Sequence, residues 1–328
     1  MIEKVFEKPL IYKIYVPLPD NPLKNLNCYV LKTETENLII DTGFNRPECL
    51  EALKEGLKEA DIDINKSKLF LTHMHSDHTG LTKSIIPDGS DIYMSQIDYD
   101  RLSTSIDGKF WPVMEKIFEK NGFPKEDILT SRDINPARIF APKEKFDVHT
   151  LNDGDKLNIG EYTLTAIFTP GHTPGHMCLY IESEKIIFTG DHVLFDITPN
   201  ITSWNSVSDS LGNYIESLKK VRELKVKKAF PAHRLSSKDY YERIDELLEH
   251  HEKRIAECLN IIKENPESSA YLIASKMKWS MRGKDWSEFP IQQKWFAVGE
   301  TLSHIDYLIN KNKVEKIEKE NKMYYKAI

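Results

Sequence analysis

The sequence predicts an α/β fold, with two β-sheets packed face to face, helices on the outside, and a smaller helical domain after them. Three observations carry this reading. Short apolar and β-branched runs fall into two groups, near residues 10–40 and 162–188, and each group is closed by helices with a one-sided apolar stripe. After residue 233 the strand pattern gives way to long helical periodicity. The histidines and aspartates that could carry chemistry sit where predicted strands run into loops, the usual place for functional side chains on a rigid scaffold.

In chain order, residues 10–16, 26–31 and 38–40 read as strands. A helix over 47–60 follows, with Leu50, Leu53 and Leu57 on one face. Residues 68–71 form a strand that delivers a histidine cluster, a helix runs from about residue 77 to 86, and residues 91–94 are another strand. The pattern then changes. Residues 96–147 form an insert with helices over 96–104 and 109–120, then an irregular segment containing Pro and Arg. Strands return at 162–168, 177–181 and 186–188, and a helix covers 209–224. A short apolar strand, Phe230-Pro231-Ala232, leads into His233. Beyond it Ser236-Ser237-Lys238-Asp239 reads as a helix N-cap before a helix over 240–264, striped by Ile244, Leu247, Leu248, Ile255, Leu259 and Ile262 and stopped by Pro266. Helices at 268–277 and 290–310 place Trp295, Val298, Leu302 and Ile305 inward. Residues 314–317 and 323–325 make a two-stranded wing around Glu320-Asn321. The chain divides into a catalytic domain, residues 1–235, and a small C-terminal domain, residues 236–328.

With 40% apolar residues in 328, the chain can bury a sizeable core. A net charge of −6 gives no general attraction to nucleic acid or to an anionic membrane. Apolar runs such as Lys185-Ile186-Ile187-Phe188 are too short to span a bilayer, and the first residues lack a signal pattern. Cys28, Cys49, Cys178 and Cys258 are scattered without CxxC spacing, as expected of reduced thiols in a cytoplasm. The region 236–328 has 16 Lys+Arg against 16 Asp+Glu, and only 311–328 is basic, with six Lys against three Glu. This balance favours a packing element, a homodimer contact or a lid over a small-molecule site, and makes nucleic acid the less favoured partner.

The chemistry lies in His73-Met74-His75-Ser76-Asp77-His78 and in three later residues, His172, Asp191 and His233. Four nitrogen or oxygen ligands within six residues point to a metal. His73 and His75, two apart on an extended segment, project to one side, whereas Asp77 and His78 begin a helix and point elsewhere. One loop can therefore feed two adjacent ions. Imidazole and carboxylate suit zinc, iron or manganese, and Asp191 is the natural bridge because a carboxylate can give one oxygen to each ion.

These motifs resemble the metallo-β-lactamase fold, whose H-x-H-x-D-H signature corresponds to residues 73–78. The resemblance covers about residues 10–235 and implies a four-layer αββα sandwich. It also implies His172 as the third ligand of the first metal, Asp191 as the bridge and His233 as the last ligand of the second. Asp41, in Ile39-Ile40-Asp41-Thr42-Gly43, corresponds to an aspartate that buttresses the site. The three helices and hairpin at the C-terminus resemble the winged-helix tail of some hydrolases of this fold.

The resemblance further implies a metal-dependent hydrolase in which a hydroxide shared by two divalent ions attacks a carbonyl or phosphoryl group, with Asp77 and Asp191 orienting it and Asp77 able to take its proton. Asp191 argues against a β-lactamase, since lactamases of this fold place a cysteine or serine there, and His75 argues against flavodiiron relatives, which carry Glu. Hydrolysis of a thioester is expected first. Phosphodiester or lactone hydrolysis and persulfide oxidation at a single iron remain open alternatives.

Phe110, Trp111 and Met114 in the insert, with Phe118 at helical spacing, are expected to pack that helix onto the body or to wall the substrate pocket. Phe195 and Trp204 carry the same two expectations. His176, His192 and His149 match no ligand position, and His176 and His192 read as supports behind the ligands.

Overall fold

A computed structural model describes residues 1–234, 238–280 and 285–328. The chain runs through β1 (Ile2–Phe6), β2 (Leu10–Pro17), β3 (Asn25–Lys32), β4 (Asn37–Ile40), α1 (Pro47–Glu59), β5 (Ser67–Phe70), the short α2 (Ser76–Thr79) and α3 (Thr82–Ile85), and β6 (Ile92–Ser95). The insert holds α4 (Gln96–Ile106), α5 (Phe110–Lys120), α6 (Lys125–Ile134) and α7 (Pro136–Ile139). Then come β7 (His149–Leu151), β8 (Lys156–Ile159), β9 (Tyr162–Phe168), β10 (Met177–Ile181), β11 (Ile186–Gly190), α8 (Ser210–Arg222) and β12 (Lys228–Pro231). The C-terminal part is α9 (Tyr240–Glu264), α10 (Ala270–Lys276), α11 (Ile291–Asn310) and the hairpin β13 (Val314–Lys319) and β14 (Lys322–Ala327).

Seven strands form one sheet in the order β1-β2-β3-β4-β5-β6-β7, and five form the second in the order β12-β11-β10-β9-β8. Strands joined by turns pair antiparallel, whereas β4, β5, β6 and β7, separated by helical crossovers, pair parallel, as do β11 and β12 across α8. Strand alternation explains the layers. In β3, Tyr29 and Leu31 face the second sheet while Leu26, Cys28 and Val30 face α1, and in β10 Leu179 points between the sheets while Cys178 and Tyr180 point towards α8. Both faces of these strands are covered, so they read as nearly continuous apolar runs. The result is the expected four-layer sandwich. No helix among the described residues is long and apolar enough to cross a membrane.

Three differences from the sequence reading have physical causes. Residues 125–134, expected to be irregular, form α6, whose weak apolar stripe buries only Ile128 and Ser131. The strands β1, β7 and β8 were not anticipated; β7 is three residues long and mostly exposed, and β8 carries its core side only through Leu157 and Ile159. Asp239 caps α9 as expected, accepting from the Tyr241 and Glu242 amides, while Ser236 and Ser237 lie outside the described residues, as does the boundary at 235/236.

The third difference concerns the insert. Met114, Phe118, Phe123 and Ile128 are buried in one core with Cys258, Ile262, Val298, Leu302 and Tyr325 of the C-terminal part. Met114 and Phe118, one turn apart, therefore face the C-terminal helices, the packing role that was one of the two expectations for them. The Phe118 ring stacks on Trp295 with centroids 3.8 Å apart, and the Tyr325 hydroxyl donates to Asn121 Oδ1 at 2.6 Å. Replacing Phe118 with Ala removes a fully buried ring, and a loss of about 3–5 kcal/mol in urea unfolding is expected. A loss below about 1 kcal/mol would show that insert and C-terminal part do not depend on a common core.

Candidate metal centre

The loop after β5 holds His73 and His75; His75, in extended conformation, ends the loop and begins α2, which carries Asp77 and His78 in a single turn. His172 follows β9, Asp191 follows β11, and His233 follows β12. All are therefore presented from the same end of the two sheets, and all but the half-buried His75 are buried.

Ligand-type atoms converge in three overlapping groups, His73–His75–His172, His73–His78–Asp191 and Asp77–His78–His233. His75 Nδ1 lies 2.9 Å from His73 Nε2 and 3.0 Å from His172 Nε2. Asp191 straddles the two halves. Its Oδ2 is 3.5 Å from His172 Nε2, while its Oδ1 is 3.4 Å from His233 Nε2 and 3.7 Å from His78 Nε2. Asp77 Oδ2 completes the second half at 3.4 Å from His233 Nε2.

The rings are held from behind. His78 Nδ1 donates to Asp41 Oδ2 at 2.8 Å, His172 Nδ1 to the Asn200 carbonyl at 2.8 Å, and His233 Nδ1 to the Asn25 carbonyl at 2.8 Å. Thr72 Oγ1 donates to Asp41 Oδ2 at 2.9 Å and stands 3.0 Å from His73 Nδ1, so it accepts from that ring. Each of these contacts places a proton on Nδ1 and turns Nε2 inward, where a cation can take the place of a proton. Asp41 lies behind His78 and Thr72 and holds both. It does so from a left-handed backbone, φ 62°, with Oδ1 also accepting from the Thr72 amide at 2.9 Å.

Such a set fits divalent cations. His78 Nε2, His233 Nε2 and Asp191 Oδ1 are buried and make no hydrogen bond, and unsatisfied atoms of this kind call for a partner. Burial, reinforced by His172, pushes His75 down to about 3, and burial holds His73 well below the usual range, so both rings are neutral and able to ligate. For His78 burial opposes the charged form, but Asp41, Asp77 and Asp191 outweigh it and push the ring up to about 10; the second half of the site is thus rich in negative charge.

Two further supports stand behind the ligands, Asp98, which the sequence reading missed, and His176, which it read as a support. Asp98, fully buried, accepts from the Met74 amide at 3.0 Å, the Gly175 amide at 2.6 Å and the Thr173 hydroxyl at 2.5 Å, tying the His73 loop to the His172 loop. Burial nevertheless pushes its carboxyl up to about 6. A serine N-cap with an acid three residues on, Ser95 and Asp98, was a visible signal, but it reads as a local capping box; only the fold shows the acid spent on two distant loops. His176 donates from Nδ1 to Thr169 Oγ1 at 2.8 Å and accepts the Asp191 amide on Nε2 at 3.2 Å, so it seats the bridging candidate. Gly190 permits this approach, since a Cβ there would lie 2.6 Å from that nitrogen and its φ is +51°.

The remaining expectations divide. Trp204 lies beside the ligand-type residues, its ring 5.9 Å from His75 and its indole N–H donating to the His172 carbonyl at 3.0 Å. Phe110 lies 6.0 Å from Trp204 and Trp111 5.3 Å from Phe110, so these aromatic rings run outward from His75. Phe195 faces the outer core. It is 1% exposed and packs with Tyr214, Leu218 and Ile244 beneath α8 and α9, because the chain turns back into the outer core just after Asp191. His192 is buried between the rings of His176 and Tyr214. His149 is exposed on β7 and pairs with Asp91, away from the ligands.

Asp98→Ala would leave three buried donors without an acceptor. A stability loss of about 3 kcal/mol or more is expected, with reduced metal content, by thermal unfolding and elemental analysis. Unchanged stability would show that the two loops hold themselves.

The metallo-beta-lactamase superfamily model matches residues 22–233. The beta-lactamase-like protein 2 homolog of Caenorhabditis elegans is 26% identical over 265 residues, which cover 79% of this chain and 74% of that protein. The atrochrysone carboxyl ACP thioesterase of Emericella nidulans is 29% identical over 216 residues, 66% of this chain and 53% of that protein. The chain thus spans between about half and three quarters of the length of these curated relatives. Among solved structures, a metallo-beta-lactamase family protein from Thermus thermophilus superposes with a TM-score of 0.81 at 25% identity, over 97% of this chain and 98% of that one. A beta-lactamase domain protein from Burkholderia ambifaria does so at 0.85 and 21%, over 100% and 94%. With the matched model spanning most of the chain and the histidine–aspartate cluster assembled inside it, the chain belongs to the metallo-beta-lactamase superfamily of hydrolases.

Proposed function

We propose that the protein is a dinuclear metal-dependent hydrolase of small carboxyl-derived substrates, thioesters first. The observation that carries this is Asp191, whose two oxygens face different histidine groups, 3.5 Å from His172 on one side and 3.4 Å from His233 on the other. His73, His75 and His172 would hold one ion and Asp77, His78 and His233 the other, with Asp191 serving both. Zinc suits this donor set best, and iron or manganese would also be accepted. When bound, such a pair supplies a water acidic enough to ionise near neutral pH and polarises the carbonyl under attack.

The chain's own groups do the rest. Asp77, pulled below the usual carboxylate range by His78 and His233 against its burial, stays ionised and can orient the nucleophile. Trp204 and Phe110 offer an apolar wall beside His75, the most open of the ligands. A thiol, with a pKa of about 8.5, leaves as thiolate without a strong general acid, which suits an aromatic rather than acidic approach. The thioesterase of Emericella nidulans among the relatives points the same way.

The C-terminal part is proposed to serve this site, in the manner of a winged-helix tail turned to packing or a homodimer contact, rather than to grip nucleic acid. Its basic hairpin is largely paired within the molecule. Lys319 meets Glu267 at 2.5 Å, Lys326 meets Glu315 at 3.6 Å, and Lys322 donates to the Glu119 carbonyl at 2.9 Å. The balanced charge and the reduced thiols are in keeping with a cytoplasmic small-molecule enzyme.

Elemental analysis is expected to give two ions per chain, and Asp77→Asn to lower kcat about 100-fold or more. Turnover of a thioester in ¹⁸O water should label the acid and consume no oxygen. One ion per chain, with Asp77→Ala fully active, would sink the dinuclear reading, and oxygen uptake with a persulfide would replace it with the dioxygenase.

RNA and DNA are expected to bind no more than weakly. Tight binding that falls steeply with salt, and vanishes when Lys313, Lys316, Lys319 and Lys322 are changed to Ala, would refute the assignment of the C-terminal part and promote a nuclease.

A further inference from the structure

The segment between Asp191 and α8 contains neither helix nor strand, yet it supports the metal centre twice. The Asn200 carbonyl accepts from His172 Nδ1 at 2.8 Å, and the Trp204 indole donates to the His172 carbonyl at 3.0 Å. What fixes this segment comes from α9 and α11. Asn200 Nδ2 donates to Glu300 Oε2 at 3.1 Å and to the Phe296 carbonyl at 3.4 Å. Ser303 Oγ donates to the Ile201 carbonyl at 2.6 Å, the Ser203 amide to the Gly299 carbonyl at 3.0 Å, and Ser203 Oγ to Asp306 Oδ2 at 2.6 Å. Arg243 of α9 donates to the Leu194 carbonyl at 2.7 Å and the Ile197 carbonyl at 3.1 Å. The approach is close enough that a Cβ on Gly299 would lie 2.3 Å from Thr202 Oγ1.

Glu300 is itself anchored. Arg254 Nη2 lies 3.6 Å from its Oε1, and Arg254 donates onward to the Lys278 carbonyl at 2.9 Å and pairs with Glu257 at 2.5 Å. A nearly buried carboxylate with a nearly buried guanidinium behind it is a rigid acceptor, and that rigidity passes through Asn200 to the imidazole of His172.

We propose that Glu300 and Asn200 are positioning residues for the metal ligand His172, so that the C-terminal part completes the metal centre rather than merely covering it. This rests on the reading of His172 as a ligand of one of two ions. Loosening Asn200 lets the His172 ring turn away from the cluster, and the ion shared by His73, His75 and His172 is the one that suffers. Among the described residues, no hydrogen bond of this relay reaches Asp77, His78 or His233, and Asp191 is the one ligand the two ions would share.

The test is metal affinity, with zinc alone in competition with a chromogenic chelator, together with the melting temperature of the metal-free proteins. Asn200→Ala and Glu300→Ala are each expected to weaken one of the two ions about 10- to 100-fold and to leave the other as it was. Their combination should be little worse than either alone, because both break one relay. Glu300→Gln keeps an acceptor oxygen for Asn200 and is expected to hold zinc within about threefold of the unaltered protein. Both ions bound as tightly in the alanine variants as in the unaltered protein would overturn the proposal. So would equal weakening of both ions with a lowered melting temperature, since that marks general loosening. An unaltered protein that binds no zinc would instead overturn the metal-centre reading on which this one stands.

Discussion

Seven side chains turn imidazole nitrogens or carboxylate oxygens into one small volume, where burial strips them of water. The catalytic half is built to hold them there. Asp41, Thr72, His176, Asp98, Asn25 and Asn200 each fix a ligand or its loop from behind, and most of these contacts are buried where a lost hydrogen bond costs most. The two sheets contribute by ending their strands on one side, so ligands from separate segments need only short loops to meet. The strain at Asp41 and the close approach at Gly190 are local costs of that convergence, offset by the sandwich core beneath.

Much of this was legible in the sequence because the ligands must lie near strand ends and must be histidine or aspartate. The spacing of His73, His75, Asp77 and His78 encodes a loop passing into a helix, and the structure shows that passage at His75. The supports were less legible, for a physical reason. A carboxylate such as Asp98 satisfies donors from two distant loops, and nothing in its own neighbourhood tells that use from an ordinary helix cap. Phe195 and Met114 pack into cores, one of the two expectations held for each, and their sequence context was ambiguous for a related reason. An aromatic or thioether near a site in sequence is as ready to turn into the core as towards substrate, and burial decides it. The helix α6 was hidden because its periodicity is faint, and it forms by packing against neighbours from the other end of the chain.

The C-terminal helices hold both the insert and the segment after Asp191. Through the insert they share one apolar core, and through α11 they reach the main chain beside His172. Two sequence regions that read as separable are therefore mechanically one body with the metal-bearing sandwich. Changes in α11 should be weighed as changes near the site, although its residues lie far from the ligand motifs along the chain.

The partnership of Asn121 with Tyr325 spans 204 residues. At about 5–20 residues per second of synthesis, the insert waits roughly 10 to 40 s on the ribosome before its counterpart exists. During that interval Met114, Phe118 and Phe123 have only one another and Ile128 to pack on, while the first sheet is completed at β7. The nascent protein thus passes through a stage with a finished sheet and an uncovered greasy arm, a natural client for chaperones.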